Sequence, residues 1–138
     1  MKFFVFLILF FKAAQIFAVT NAAADTGSWL LKADSIYGDK MTHFEIKSEN
    51  KKNYIFMNSN SGDSRKHELS QKDVEFIKKE FDKLPIPPKL PSECHRARLT
   101  VVMNNSSKKS VTKDSCFGLH TATEPAYARF SQILVNAL

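Results

Sequence analysis

Alternating apolar and polar residues in the first half of the chain predict three β-strands. In the first strand, Trp29 and Leu31 fall on one face and Leu30 on the other. The polar stretch 49–53 has the composition of a hairpin connection, and the polar stretch 59–66 has that of a longer loop. The predicted strands cover residues 28–38, 41–48 and 54–58. Together they predict an antiparallel meander.

Helical periodicity marks two segments in the second half of the chain. The first begins after Ser70, which can cap the free amides, and Asp73 lies in the capping-box position. The second begins after Thr123, with Pro125 in its first turn. The apolar residues at helical spacing are Val74, Ile77, Phe81 and Leu84 in the first, and Tyr127, Phe130, Ile133 or Leu134, and Ala137 in the second. Each helix therefore has one apolar face that can pack on the sheet.

Between the helices, an alternating segment over residues 97–103 predicts a half-buried strand. The polar residues that follow it have the composition of a turn. A register that pairs Leu99 with Val111 across this turn also places Cys94 opposite Cys116. Directly opposed residues have a Cα separation that suits a disulfide, so the hairpin and the crosslink support each other.

We predict that these two cysteines, the only ones in the chain, form a disulfide. The bridge would close a loop of about 23 residues and contribute roughly 3 kcal/mol to stability. The alternatives are a reactive thiol, or a zinc site built from Cys94, His95, Cys116 and His120. Adjacent Cys and His are a poor pair of ligands, because successive side chains of a strand point to opposite faces. We therefore predict no metal site and no cofactor.

Residues 1–24 have the layout of an export signal. Lys2 supplies the positive start, an unbroken apolar run follows, and small residues favour cleavage after Ala24. Cleavage would leave one small domain, residues 25–138, in a secreted or periplasmic location. Lys12 interrupts the apolar stretch, whereas a transmembrane helix needs about 20 residues with few or no charges. We therefore expect no stable membrane span after cleavage, and a retained anchor is the alternative.

Loss of Lys2 and Lys12 with the signal lowers the formal net charge from +6 to +4. The remaining Lys and Arg residues are scattered among acids, which is typical of solvated surface. A nucleic-acid binder would more often show a basic stripe with interleaved aromatic residues. We therefore predict that no nucleic acid is a partner.

The chain has four histidines as candidate acids or bases: His43, His67, His95 and His120. Two histidines with a lysine would suit phosphodiester cleavage by a small secreted enzyme, but the spacing does not select that chemistry. The sequence contains no G-x-S-x-G, no H-E-x-x-H and no Gly-rich phosphate loop. No catalytic residue is therefore predicted. Asn104 and Asn105 each begin an N-glycosylation acceptor pattern on the predicted turn.

The proline-rich segment that follows the first helix, residues 84–94, carries the functional hypothesis. Its prolines reduce the conformational freedom of the unbound chain, so an exposed stretch could enter a partner's cleft at a reduced entropic cost. The predicted partner-binding residues are Pro87, Pro88, Lys89 and Leu90. The alternative interpretation of this segment is a plain linker between a helix and a strand.

These elements predict an α+β domain with the order β-β-β-α-β-β-α, a single antiparallel sheet of about five strands and two helices packed on one face. The first functional hypothesis is an exported, non-enzymatic binding protein. It would inhibit a secreted or periplasmic hydrolase by steric occlusion, through the proline segment or the hairpin turn. The alternatives are a small nuclease-like hydrolase that uses histidines, and a structural protein associated with the cell envelope. The expected partner is a protein, either a hydrolase or an envelope protein.

Overall fold

The computed structural model describes residues 29–86, 94, 97–104, 109–118 and 123–138. Along these ranges, four strands are followed by a helix, and two further strands are followed by a second helix. In chain order the elements are β1 (Trp29–Tyr37), β2 (Lys40–Glu49), β3 (Lys52–Ser59), β4 (Ser64–Leu69), α1 (Gln71–Asp82), β5 (Ala97–Asn104), β6 (Ser110–Cys116) and α2 (Glu124–Asn136).

The six strands form one antiparallel sheet with the order β4-β3-β2-β1-β5-β6. Strands β1 to β4 form a meander, and β5 pairs with the free side of β1, which places the first strand inside the sheet. The predicted α+β class, with one antiparallel sheet and two helices, is confirmed. The sheet has six strands where about five were predicted.

The additional strand is β4, the first half of which lies in the segment predicted to be a polar loop. It pairs with β3 from Ser64 to Leu69, and Lys66 lies opposite Phe56. Within β4 only Leu69 is buried, and the other residues are exposed. The loop prediction over 59–66 is therefore wrong at its end. An edge strand with charged, solvated side chains shows no alternation of apolar residues by which it could be found.

A β-bulge near the start of β1 determines the side of the sheet on which Trp29 lies. The register shifts so that Trp29 pairs with Lys47 and Leu31 pairs with Ile46. Because Lys47 and Ile46 are adjacent and point to opposite faces, Trp29 and Leu31 do so too. The prediction that these two residues share a face is wrong, since a bulge adds one residue that strict alternation does not count.

The β5–β6 hairpin forms in a different register from the predicted one. Leu99 lies opposite Ser115, so its predicted pairing with Val111 is wrong, and Cys116 lies opposite Arg98 rather than the other cysteine. The two registers differ by an even number of residues and leave the same side chains facing the core. Apolar alternation therefore could not distinguish them.

The hydrophobic core lies between the helices and one face of the sheet. The sheet contributes Leu31, Ala33, Phe44, Ile46, Ile55, Leu69, Leu99, Val101 and Met103, and the helical layer contributes Val74, Ile77, Phe81, Leu84, Tyr127, Phe130 and Leu134. All the apolar residues predicted for the first helix are thus buried. Of the residues predicted for the second helix, Ile133 and the C-cap residue Ala137 are only partly buried. The rings of Phe81 and Phe130 meet edge to face with centroids 6.4 Å apart and so join the two helices.

The two helices begin in different ways. The Ser70 hydroxyl accepts a hydrogen bond from the Asp73 amide, and the Asp73 carboxylate accepts one from the Ser70 amide, so the predicted capping box is confirmed. Thr123 makes no side-chain capping bond, and the predicted cap there is wrong. Its hydroxyl lies 2.7 Å from that of Ser115 in β6 instead. Pro125 lies in the first turn, as predicted.

Tyr127 provides a pH-dependent test of this packing. The residue is fully buried, its hydroxyl donates a 2.8 Å hydrogen bond to the carbonyl of Pro85, and burial raises the pKa of Tyr127 to about 12. The unfolded chain releases this proton near the ordinary value of 10.0, whereas the folded protein retains it. Stability should therefore fall by about 2 kcal/mol as the pH rises from 10 to 12.

The measurement is the free energy of unfolding in urea, as a function of pH, for the wild type and Tyr127→Phe. At neutral pH the variant should be less stable by about 1 kcal/mol, because it lacks the hydrogen bond to Pro85. Above the ordinary tyrosine pKa the two curves should converge, since phenylalanine has no proton to lose. Curves that stay parallel throughout would contradict this assignment.

Candidate functional site

Four connections of the chain meet at one end of the sheet, which we call the loop end. The β1–β2 turn follows Tyr37, and Tyr37 lies opposite Ala97 at the start of β5. The β3–β4 turn follows Ser59, and β6 ends on the same side at Cys116. The connection from α1 therefore arrives at the loop end, and the connection to α2 leaves from it.

The proline segment belongs to the connection that joins α1 to β5. Its predicted binding residues lie outside the described residues: Pro87, Pro88, Lys89 and Leu90. The structure describes the chain up to Ile86 and again at Cys94. The structure therefore shows where the segment begins, at residues 84–86, and where it ends, at Cys94. We call these two ends its flanks.

Lys113, in β6, holds the C-terminal end of α1. Its ammonium group donates hydrogen bonds to the carbonyls of Phe81 at 2.8 Å and Asp82 at 3.1 Å, and it lies 4.6 Å from the centroid of the Phe81 ring. The last carbonyls of a helix have no partner within the helix, and a cation there also interacts favourably with the helix dipole. Only 8% of Lys113 is exposed, and this burial lowers its pKa. A buried cation thus ties the helix to the sheet.

The sequence pattern did not identify Lys113 as a functional residue. The signal that could have found it is its position in β6, where it alternates with Ser115 on the side of the strand that faces the core. A lysine at a core-facing position needs partners for its ammonium group. The exposed end of a helix is one such partner.

Two further contacts fix the first residues of the proline segment. Leu84 is buried in the core, and the carbonyl of Pro85 accepts the hydrogen bond from Tyr127 in α2. Ile86, the next residue, is exposed. The chain therefore leaves the core within two residues of its last buried side chain.

The disulfide between Cys94 and Cys116 fixes the other flank of the segment. The two Cα atoms are 5.3 Å apart, and both cysteines are buried. The predicted crosslink is present although the register that suggested it is wrong, because Cys94 precedes β5 and reaches Cys116 from the connection. The zinc and thiol alternatives would both require reduced cysteine. The anchors of both flanks, Lys113 and Cys116, lie in the same strand, three positions apart.

Glu80 joins α1 to α2 near the same flank. Its carboxylate lies 2.5 Å from the ammonium group of Lys83 and 3.4 Å from the guanidinium group of Arg129. The hydrogen bond from Lys83 lowers the pKa of Glu80. The carboxylate is buried, while both of its cationic partners are largely exposed. The two helices are therefore joined by a charged contact as well as by the aromatic pair.

The face of the sheet away from the helices, which we call the open face, carries lysines over aromatic rings. The Lys66 ammonium lies 4.2 Å from the centroid of the Tyr54 ring and 2.7 Å from the carboxylate of Glu49. That hydrogen bond lowers the pKa of Glu49. Related contacts join Lys32 to Trp29 and Glu45, Lys47 to Phe56 and Glu49, and Lys52 to Glu68. Alternation alone did not predict this network, because it depends on which residues of neighbouring strands lie opposite each other.

The structure does not bring the two described histidines together. His43 lies on the open face, whereas His67 lies opposite Ile55, whose side chain faces the core. The other two histidines lie outside the described residues. His43 Nδ1 is 2.6 Å from an oxygen of Asp34, and both residues are partly exposed. A histidine oriented by a carboxylate is an arrangement that can serve acid–base chemistry.

A groove of about 290 Å³ separates parts of α1 and α2. It is lined by Asp73, Phe76, Ile77, Ile133, Asn136 and Ala137. Asp73 is already engaged in the capping box, so the groove offers no free pair of titratable groups.

Within the described ranges, no group of three or more His, Cys, Asp or Glu side chains could hold a metal ion.

None of the helices in the part of the chain that the structure describes is long and apolar enough to cross a membrane.

Of the two asparagines that begin an N-glycosylation acceptor pattern, Asn104 is described and Asn105 lies outside the described residues. Asn104 is the last residue of β5, and its side-chain amide donates a 3.3 Å hydrogen bond to the carbonyl of Trp29. This bond ties the start of β1 to the end of β5. Asn104 therefore has a structural role in the unmodified protein.

Comparison of the chain with protein-family models, with curated protein sequences and with solved structures finds no match. The function of the loop end therefore has to be inferred from its own residues.

Replacement of Lys113 by methionine tests the anchor on α1. Lys113→Met keeps an unbranched side chain but leaves the carbonyls of Phe81 and Asp82 without their donor. We expect a loss of about 1–3 kcal/mol in the free energy of unfolding. The measurement is urea unfolding, with Lys72→Met on the exposed start of α1 as the matched control, which should change stability by about 0.5 kcal/mol at most. Equal stabilities of the two variants would show that the anchor contributes nothing.

Proposed function

We propose that this protein is an exported, non-enzymatic binding protein that inhibits a secreted or periplasmic hydrolase by occluding its cleft. The proline segment, with Pro87, Pro88, Lys89 and Leu90, would make the contact. The observation that carries this proposal is the anchoring of both flanks of that segment on β6. Lys113 and the disulfide supply the two anchors.

Anchored flanks reduce the cost of binding. Residues 87–93 connect two points that the fold fixes, and the prolines among them restrict the backbone further. Binding orders interface side chains at about 0.5–1.5 kcal/mol each, and a loop that is already constrained loses less freedom. This supports a segment that serves as a binding element rather than as a plain linker.

The anchors also suit a segment that lies in the cleft of a hydrolase. If the partner cleaved the segment, the new ends would still be attached to the fold. The disulfide would retain the piece that contains Cys94, and the core would retain the piece that contains Leu84. If the cleaved protein leaves the cleft slowly, it continues to block the cleft. It then acts as an inhibitor of the hydrolase rather than as a substrate.

The β5–β6 turn, the other occluding element predicted, follows Asn104 at the end of the sheet opposite the loop end. One cleft cannot accept both elements at once. We propose the contact at the loop end, because the connection that contains the proline segment arrives there and the disulfide joins it to Cys116, the last residue of β6.

The location and the partner class have separate support. A disulfide is compatible with an extracellular or periplasmic location, where thiols are oxidised.

On the open face, Lys32, Lys52 and Lys66 each have a carboxylate within 3.4 Å. This pairing supports the prediction that no nucleic acid is a partner, because binding to phosphates depends on cations that remain available.

The test begins with a pull-down from the native extracellular or periplasmic fraction, using the disulfide-intact chain from Asp25. We expect a hydrolase to be retained in stoichiometric amount and to lose activity on titration. Lys89→Ala or Leu90→Ala should then weaken affinity about tenfold or more without changing unfolding, because each removes a contact made in the cleft. Lys72→Ala, far from the loop end, is the control. If neither Lys89→Ala nor Leu90→Ala changes the affinity, the proposed contact is refuted.

A nuclease-like hydrolase is the second candidate function, and the pairing of His43 with Asp34 favours it. If this pair is catalytic, His43→Ala should abolish turnover of an RNA, DNA or ester substrate, whereas His67→Ala should not. Absence of turnover by the wild type on all three substrate classes would remove this candidate.

A further inference from the structure

The groove between α1 and α2 has two parts that follow one another along the helices. The larger part, of about 290 Å³, is lined by apolar side chains that include Phe76, Ile77 and Ile133. The smaller part, of about 120 Å³, lies toward the end of α1 and the first half of α2, and Phe130 lines it. Ile133 lines both parts, so they are neighbours. We call the two parts together the interhelical groove.

The two ends of the interhelical groove carry opposite charge. Asp73 lines the end near the start of α1. Lys83 and Arg129 line the other end, and 57% and 70% of their side chains are exposed. Both cations approach the carboxylate of Glu80. The hydrogen bond from Lys83 lowers the pKa of Glu80, and the charges of Arg129 and Lys79 lower it further. Three cations thus surround one buried carboxylate, which leaves this end with an excess of positive charge.

Phe76 presents apolar surface to the larger part of the groove. It lies on α1 and is 49% exposed, whereas the other apolar residues of that helix are buried. Burial of apolar surface contributes about 25 cal/mol per Å². A ligand with an apolar body would therefore gain free energy by covering this ring.

The size of the groove favours a small ligand. Pockets for small ligands have volumes of about 300–1,000 Å³, and the larger part of the groove lies at the lower limit of this range. A stable protein interface buries about 1,200–2,000 Å² in total and has an apolar centre. On α1 and α2, Phe76 and Val135 are the only exposed large hydrophobic side chains. Two such residues are too few for the centre of a protein interface.

We propose that the interhelical groove binds a small amphipathic carboxylate, such as a fatty acid of medium chain length. The acyl chain lies along Phe76 and Ile133 in the larger part. The carboxylate lies at Lys83 and Arg129, because Asp73 repels it at the other end. Since no residue that holds the ligand belongs to the proline segment, this inference is independent of the proposed function.

The length of the groove suits a linear chain. Arg129 and Asn136 line its opposite ends and lie seven residues apart on α2, which corresponds to about 10 Å along the helix axis. A ligand that spans this distance touches both the apolar lining and the cationic end. Chain and carboxylate therefore contribute separately to affinity, and each can be tested alone.

The experiment is isothermal titration calorimetry of the disulfide-intact protein with decanoate, with 1-decanol and with an acidic amphipathic helical peptide. Decanoate and 1-decanol share a chain and differ in charge. The variants are Arg129→Gln and Phe76→Ala. The matched controls are Lys40→Gln, an exposed cation of β2, and Tyr37→Ala, an exposed aromatic residue of β1. Urea unfolding of each variant verifies that the fold is retained.

We expect the wild type to bind decanoate about fivefold more tightly than 1-decanol, because only decanoate pairs with the cations. Arg129→Gln should weaken decanoate binding about threefold or more and leave 1-decanol binding within about twofold. Phe76→Ala should weaken the binding of both ligands about fivefold or more, because both chains cover the ring. Each control should stay within about twofold of the wild type.

The site is overturned if the wild type does not bind decanoate, or if Arg129→Gln and Phe76→Ala bind it as the controls do. Equal affinities for decanoate and 1-decanol would overturn the role of the cations. Binding of the peptide without binding of decanoate would assign the groove to a protein partner instead. None of these results bears on the proline segment, so this inference and the proposed function can fail separately.

Discussion

The contact between Lys113 and the last carbonyls of α1 is the interaction on which the arrangement of the molecule depends. The helix begins just after β4, at one edge of the sheet, and its end is bonded to β6, at the other edge. It therefore crosses the whole sheet. At the far edge, the buried ammonium group of Lys113 binds the last carbonyls of the helix. Because Cys116 lies in the same strand, β6 fixes the chain both where it leaves α1 and where it approaches β5. The connection between α1 and β5 is held at both of its ends because Lys113 and Cys116 lie in the same strand.

The two faces of the sheet have separate roles. The face toward the helices supplies the core, whereas the open face is covered by lysines that contact aromatic rings and glutamates at once. Lysine stems can cover apolar surface while their charged ends stay hydrated. The charged groups of this face are paired with one another. Tyr37, at the end of β1, and Ile86, after α1, are exposed apolar residues in the part of the chain that leads to the loop end. Binding is therefore expected at the loop end rather than on the open face.

The features that the sequence predicted are those that depend on local periodicity. The capping box at Ser70 and the buried faces of both helices follow from spacing within one segment, and the fold class follows from the order of such segments. The register of β5 with β6 and the strand β4 could not be predicted, because they depend on pairing between segments. The disulfide could be predicted from the number of cysteines and the expectation of export, but the role of Lys113 could not. That role requires knowing that the end of α1 lies over β6.

The most direct test of the central claim is the affinity of the retained hydrolase for the oxidised protein, compared with its affinity for the Cys94→Ser, Cys116→Ser double variant. The comparison is made under conditions in which unfolding measurements show both proteins folded. If the anchored flanks constrain the proline segment for binding, the double variant should bind about tenfold more weakly or worse, because it must order that segment on binding. Equal affinities of the two proteins would contradict the claim.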